Sequence, residues 1–501
     1  MMNETINKAD YTLKTYLNNA KNAVFLVEVN QESVKHRVLD MLKNDFDFEI
    51  IDFECVRDTF VNSLRNFMST SKDKHICIWN FSENFETYDI IKSLNISRDI
   101  LKEIGIVVFI MPTFLVRQID ERELNLRDYV LKKFVYVEHK KNPFDPLYVI
   151  SLSSEYARQN GEAIDAVFVK SIMDSENELQ RKVQIYYDLL YSYLKRRLSP
   201  YDYIQLYDLF LKICNLLEQY PAAGKEAKRD QERTKLAIIC NTAEVIATQK
   251  YFKEAEAMFD EILSKEASNG KWEMYLLKAK EGQAYCLYRQ NKFQEAGNAL
   301  LSLLCVLEEK RTVNDSWKMN ITNNYGACLY KMGKYEQAYE RWCVCEDMLA
   351  SLNLLDEKRR LRCEYNKMIA NIEFCDISLE KTEQYYSIYS KIGETFGAES
   401  IQYIQHSLLY IWLIGVIYGK TREALLSGSK LLDLEKQILD GNSYQIALSH
   451  YINYVLYGQL GEEDSAMESL EKCRKIMKSN IITNESLPEI LKELGFFKSP
   501  Y

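Results

Sequence analysis

Apolar residues in the first 140 positions gather in short dense runs, whereas beyond them they recur at helical spacing almost to the end of the chain. The run AVFLVEV from Ala23, the amphipathic stretch NQESVKHRVLDMLKN and the run FEIIDFE predict strand, helix and strand. HICIWNF, His75 to Phe81, and IVVFIMP, Ile106 to Pro112, predict two more strands on either side of the helical pattern NFETYDIIKSLNISRDILKEIG. A helix over VRQIDERELNLRDYVLKK and a last strand FVYVE ending at Glu138 complete the series. Strands alternating with helices of this length imply a mostly parallel sheet covered on both faces. KKNPFDP, Lys140 to Pro146, carries two prolines and marks the boundary of a domain over 1–140.

Residues 141–235 read as a linker and a first set of helices. ENELQRKVQIYYDLLYSYLKRRL and YIQLYDLFLKICNLLEQYP form a helical pair closed by Pro200 and Pro221. Within 236–480 the segment NNYGACLYKMGKYEQAYERW, Asn323 to Trp342, places Gly326, Gly333, Tyr335, Ala338 and Trp342 at intervals that amphipathy alone does not require. Small residues let two helices approach, the second glycine ends the first helix, and the aromatics fill the space between. The frame recurs with Phe252, Ala255 and Phe259, with Phe293 and Ala296, with Gly419 and Ala424, and with Gly461 and Ala466. From Ala255 to Ala466 the alanines are separated by 41, 42, 86 and 42 residues, and the double interval hides one repeat with Thr382 near the alanine position. That makes about six units of period about 42. NESLPEILKELGFF, from Asn484, reads as a helix within 481–501 that closes the open end. A helical bundle with accidental glycine and alanine placement is the plainer alternative, and a period held over so many units argues against it.

This spacing resembles the tetratricopeptide repeat, with hairpins longer than the usual 34 residues, and is similar to elongated repeats of bacterial signalling proteins. The resemblance spans Ala237 to Met477. It implies a superhelix with a face lined by the first helix of each pair. Carried onto this sequence, that face includes Glu281, Tyr285, Tyr288, Asn320, Asn323, Tyr330, Lys367 and Asn371. Tyrosine rings give rigid contact area and asparagine amides bond a ligand backbone, so these residues suit a protein or peptide ligand. Solvation, or contact with the next repeat, is the alternative role for each.

Strands at Ala23 and Ile76 with helices between them invite comparison with nucleotide-binding domains, which need glycine after the first strand and a lysine to meet a phosphate. Here EVNQESVKHR follows the first strand, and the first glycine of the chain is Gly105, so no phosphate-loop motif fits there. Lys35 then reads as a solvated helix charge. Leu94, Asn95, Arg98, Pro112 and Asp128 with Tyr129 resemble a pattern of degenerate NTPase-like domains related to the signal-transduction ATPases of bacterial conflict and signalling proteins. The fold expected overall is an α/β N-terminal domain, P-loop-NTPase-like without the phosphate loop, followed by an all-α tetratricopeptide-like superhelical solenoid.

Composition narrows the function. The chain of 501 residues has only 17 Gly and 7 Pro, and its net charge of −9 is spread in mixed signs, leaving no basic stripe for nucleic acid. MMNETINKADY lacks the features of a secretory signal and no stretch is apolar enough for a membrane span, which predicts a cytoplasmic protein. The 12 cysteines are scattered and include no C-x-x-C pair; Cys343 and Cys345 point to different helix faces, so reduced thiols and no metal are expected. His36, His75, His139, His406 and His450 belong to no local metal motif. Acidic pairs such as Asp120 with Glu121 and the run Glu462 to Asp464 read as solvated faces. The favoured reading is a non-enzymatic sensor or adaptor without a cofactor. Its array binds a protein or peptide, and its N-terminal domain docks into a larger assembly; the resemblance implies bacterial signalling or anti-phage defence. An atypical NTPase, a cysteine hydrolase and a peptide-responsive regulator are the alternatives.

Overall fold

The computed structural model describes residues 2–148 and 210–481, apart from 71–74, 82–86, 102, 123–128, 137–141, 216–217, 219–223, 249–250, 265–272, 310–314, 352–356, 375–378, 440 and 442. The first helix of the expected pair, before Pro200, and the closing helix from Asn484 lie outside the described residues; of the second helix, before Pro221, residues 210–215 and 218 are described and helical. Two compact units result. One gathers Met1–Phe144 with Asp376–Thr483, and the other holds Asp145–Cys375.

The α/β part of the first unit runs α1 (Met2–Asn19), β1 (Ala23–Val29), α2 (Glu32–Phe46), β2 (Glu49–Asp52), α3 (Phe53–Val56), α4 (Phe60–Thr70), β3 (Ile76–Trp79), α5 (Thr87–Leu101), β4 (Ile106–Pro112), α6 (Thr113–Arg122) and β5 (Val130–Tyr136). The strands form one sheet in the order β2-β3-β4-β1-β5, every described pairing parallel, with Phe25 opposite Val108 and Val27 opposite Ile110. β1 and β4 are buried along nearly their whole length, because helices lie on both faces and neither set of side chains meets water. Leu13 and Leu17 of α1 and Val34, Val38 and Leu42 of α2 pack on Phe25, Val27, Val108 and Phe134. Phe53, Phe60, Phe81 and Phe109 form a second, aromatic layer with ring centroids 4.6 to 6.4 Å apart.

Two sequence expectations change. Val130 to Lys133, read as the end of a helix, begin β5, and α6 stops at Arg122 among the described residues. FEIIDFE is strand only as far as Asp52, whose carboxylate accepts from the Cys55 N–H at 3.3 Å and caps α3.

The second unit stacks α7 (Lys225–Thr248), α8 (Phe252–Ser264), α9 (Glu273–Arg289), α10 (Phe293–Glu309), α11 (Asp315–Lys331), α12 (Tyr335–Ser351) and α13 (Glu357–Phe374), each packed on the next. The first unit continues with α14 (Leu379–Phe396), α15 (Ile401–Trp412), α16 (Thr421–Ile438), α17 (Tyr444–Leu460) and α18 (Glu463–Ile481), again each on the next. The run of hairpins foreseen in the sequence is therefore present, and it is shared between the two units.

The small residues act as expected. A Cβ on Gly326 would lie 2.8 Å from the Trp342 indole nitrogen, and one on Gly282 would lie 2.2 Å from the Phe259 ring, so each helix pair closes only over a bare backbone. Gly333 takes φ +74° after α11, where Lys334 N–H reaches the Leu329 carbonyl at 2.9 Å. Asn291, at φ 64°, takes the same conformation between α9 and α10.

Candidate functional site

Glu281 on α9, Asn323 on α11 and Asn366 on α13 are 42 and 43 residues apart, the repeat period, and so occupy equivalent places on successive first helices. Across this face lies the chain's own segment Asp145–Tyr148, which belongs to the same unit and has no helix or strand structure. Asn366 grips one residue of it from both sides. Its amide oxygen accepts from the Leu147 N–H at 2.7 Å, and its amide nitrogen donates to the Leu147 carbonyl at 3.2 Å. Asn323 donates to the same carbonyl at 3.1 Å and accepts from Asn366 at 3.0 Å. Because a backbone N–H only donates, these partners fix which way the Asn366 amide points. Both polar groups of Leu147 are thereby satisfied away from regular structure, with no demand on its side chain.

The flanking residues of the segment are read by their side chains. The Asp145 carboxylate pairs with Lys331, at the C-terminal end of α11, where a cation is also favoured by the helix dipole. Lys331 lies 5.6 Å over the Phe293 ring. The Tyr148 ring sits 4.5 Å from Tyr288 and 5.7 Å from Tyr285, both on α9. Burial raises the hydroxyl pKa of Tyr148, Tyr288 and Tyr285, so all three remain neutral phenols. The Tyr148 hydroxyl is buried without a hydrogen-bond partner.

The expected face residues divide accordingly. Asn323, Tyr285 and Tyr288 meet at the segment. Glu281 accepts from the Trp317 indole at 2.7 Å and so ties α9 to α11. Tyr330 packs 5.1 Å from Tyr335 and 6.2 Å from Trp342, inside its own hairpin. Lys367 pairs with Glu346 at 2.6 Å and Glu364 at 3.4 Å, and the Asn371 amide meets the Tyr339 hydroxyl. Asn320 is buried with its amide oxygen unpartnered. Asn366, Lys331 and the segment were not among the expected site residues. The expected ligand face is not open: of its eight residues all but Lys367 are buried, and Asn323, only 3% exposed, has Asp145–Tyr148 laid over it.

In the first unit, the C-terminal ends of β1, β3 and β4 border a cavity of about 140 Å³, lined also by Thr421, Arg422 and Gln459. Lys35 lines this cavity as well. It pairs with Glu32 at 2.9 Å and lies 4.8 Å over the Trp79 ring. Gln31, which precedes α2, is extended at φ −134°, so its backbone does not form the inward-turned amide nest that cradles phosphate. Asn80, at φ 62°, bonds the Asp52 carboxylate at 3.0 Å.

Burial raises the thiols of Cys328 and Cys473 to about 12 and that of Cys240 well upward. Burial lowers His406 to about 3, and its ring nitrogen lies 2.7 Å from the Tyr385 hydroxyl. Among the described residues every cysteine is a free thiol, no group of three or more ligating side chains could hold a metal ion, and no helix is long and apolar enough to cross a membrane.

No protein-family model matches the chain, and no curated protein does. Among solved structures, kinesin light chain nearly identical TPR-like repeats from Podosopora anserina are similar at 16% identity, over 41% of this chain and 96% of that one, with a TM-score of 0.33. BtubC (BKLC) from P. vanneervenii is similar at 12% identity, over 50% of this chain and 93% of that one, with a TM-score of 0.34.

Proposed function

We propose that the protein is a non-enzymatic interaction scaffold, a sensor or adaptor, whose repeat face on α9, α11 and α13 captures an extended segment of a partner protein by its backbone. The observation that carries this reading is the grip of Asn366 and Asn323 on both polar groups of Leu147. An amide that pairs with a main-chain N–H and C=O accepts any extended peptide at that point, as strand addition to a sheet edge does. Burial opposes a cysteine hydrolase built on Cys328 or Cys473, because the nucleophile is the thiolate and burial holds these groups protonated. The extended turn at Gln31 and the engaged Lys35 oppose nucleotide hydrolysis and favour a docking role for the α/β part, as its likeness to degenerate NTPase-like domains implies. A cytoplasmic setting in bacterial signalling or defence rests on the sequence resemblance.

Titration of the full chain with two labelled peptides of sequence Asn-Pro-Phe-Asp-Pro-Leu-Tyr, one plain and one N-methylated at leucine, tests this reading. Methylation removes the N–H that Asn366 accepts, and the affinity is expected to fall about tenfold, the worth of one hydrogen bond whose partner is left unpaired. Equal affinity for the two peptides would contradict backbone capture.

A further inference from the structure

The segment Asp145–Tyr148 shows what the face selects as well as how it holds on. Three contacts are distributed along four residues: a carboxylate on Lys331, a backbone pair on Asn366 and Asn323, and an aromatic ring between Tyr285 and Tyr288. An extended chain advances about 3.3 Å per residue, so side chains three positions apart on one stand about 10 Å apart. Lys331 on α11 and the tyrosines on α9 thus meet side chains three positions apart along the segment. Pro146 sharpens the register. It biases Asp145 to an extended backbone and needs no N–H partner between the two anchoring positions.

The contacts are also of a displaceable kind. Asp145, Leu147 and Tyr148 keep part of their surface in solvent, and the Asp145 to Lys331 pair is partly exposed and thus screened by salt. Being part of the same chain, the segment competes at an effective concentration of order millimolar, which lowers the apparent affinity for any external peptide.

We propose that Asp145–Tyr148 is a built-in stand-in for the partner, and that the external ligand is an extended peptide with an acidic side chain three positions before an aromatic one, which must displace this segment to bind. The inference rests on the reading of the face as a peptide-capturing surface, and adds to it the side-chain code and the internal competitor.

The full chain carrying Asp145→Lys and Tyr148→Ala releases the competitor without altering the face. It is expected to bind the peptide Asn-Pro-Phe-Asp-Pro-Leu-Tyr at least about tenfold more tightly than the wild-type chain. Asp145→Asn, a smaller change, is expected to act in the same direction and to guard against misfolding of the double variant. In the released chain, a peptide with lysine in place of its aspartate should bind about tenfold more weakly, and adding Lys331→Glu should invert that preference.

Release without any gain in affinity, or indifference to the charge swap, overturns the inference. If the released chain prefers the plain peptide over the N-methylated one but ignores the charge, backbone capture stands and the side-chain code fails. If the released chain binds no peptide, both fail.

Discussion

Replacing Trp342 by alanine is expected to lower the free energy of unfolding by about 3–5 kcal/mol, the range for removing a buried tryptophan. The ring is fully buried in α12 and lies directly over the bare backbone of Gly326, which offers no side chain to refill the space on that side. Its indole nitrogen also donates to the Asn323 carbonyl at 3.2 Å, which ties the hairpin interior to the helix turn that presents the Asn323 amide. Urea titration of the full chain measures the loss. A change below about 1 kcal/mol would mean that the small-residue and aromatic frame is not what holds this hairpin.

Glu435→Gln is expected to stabilise the protein above neutrality and leave it unchanged in mild acid. Glu435 is wholly buried on α16; one carboxylate oxygen accepts from the Ser449 hydroxyl at 2.6 Å and the other has no hydrogen-bond partner. Burial pushes its pKa from the ordinary 4.5 to about 7. Between these values the folded chain holds a proton that the unfolded chain has released. The group's contribution to stability is therefore intact below about pH 4.5, declines as pH rises to about 7, and stays at its low value above that. A difference of this size is worth about 3 kcal/mol, so the variant should exceed the wild type by about that amount at pH 8 and match it at pH 4.5. His406 and His450, lowered to about 3 and about 4, change stability in the opposite sense over the acidic range. They are common to both proteins and drop out of the comparison. A gain independent of pH would show that Glu435 does not titrate in this window.

Much of this architecture is legible in the sequence because burial on two faces writes itself as dense apolar runs. AVFLVEV and IVVFIMP match β1 and β4 residue for residue. β5 was harder to read. It lies at the sheet edge, and Leu131, Lys132 and Lys133 are exposed, so its sequence carries the charges of a surface helix. α1 carries no dense apolar run, although Leu13 and Leu17, one helical turn apart, are both buried.

At the site, the repeat period was sufficient to find Asn366, since it falls 43 residues after Asn323. Lys367, expected at the ligand face, is the next residue, about a hundred degrees further around the helix. Lys367 instead closes an ion pair with Glu346 on α12. The occupant leaves no periodic trace, because a segment held through its main chain places no rule on which residues supply the N–H and C=O. Its prolines signalled a boundary and gave no hint that the boundary also fills the face.

The most direct test is the exchange rate of the Leu147 amide, followed by hydrogen–deuterium exchange with fragmentation to single residues. If Asn366 accepts this N–H as described, the amide exchanges about a hundredfold more slowly than in a free peptide, and Asn366→Ala removes most of that protection. Exchange of the Leu147 amide at the free-peptide rate in the wild-type chain would contradict the capture of extended backbone at this face.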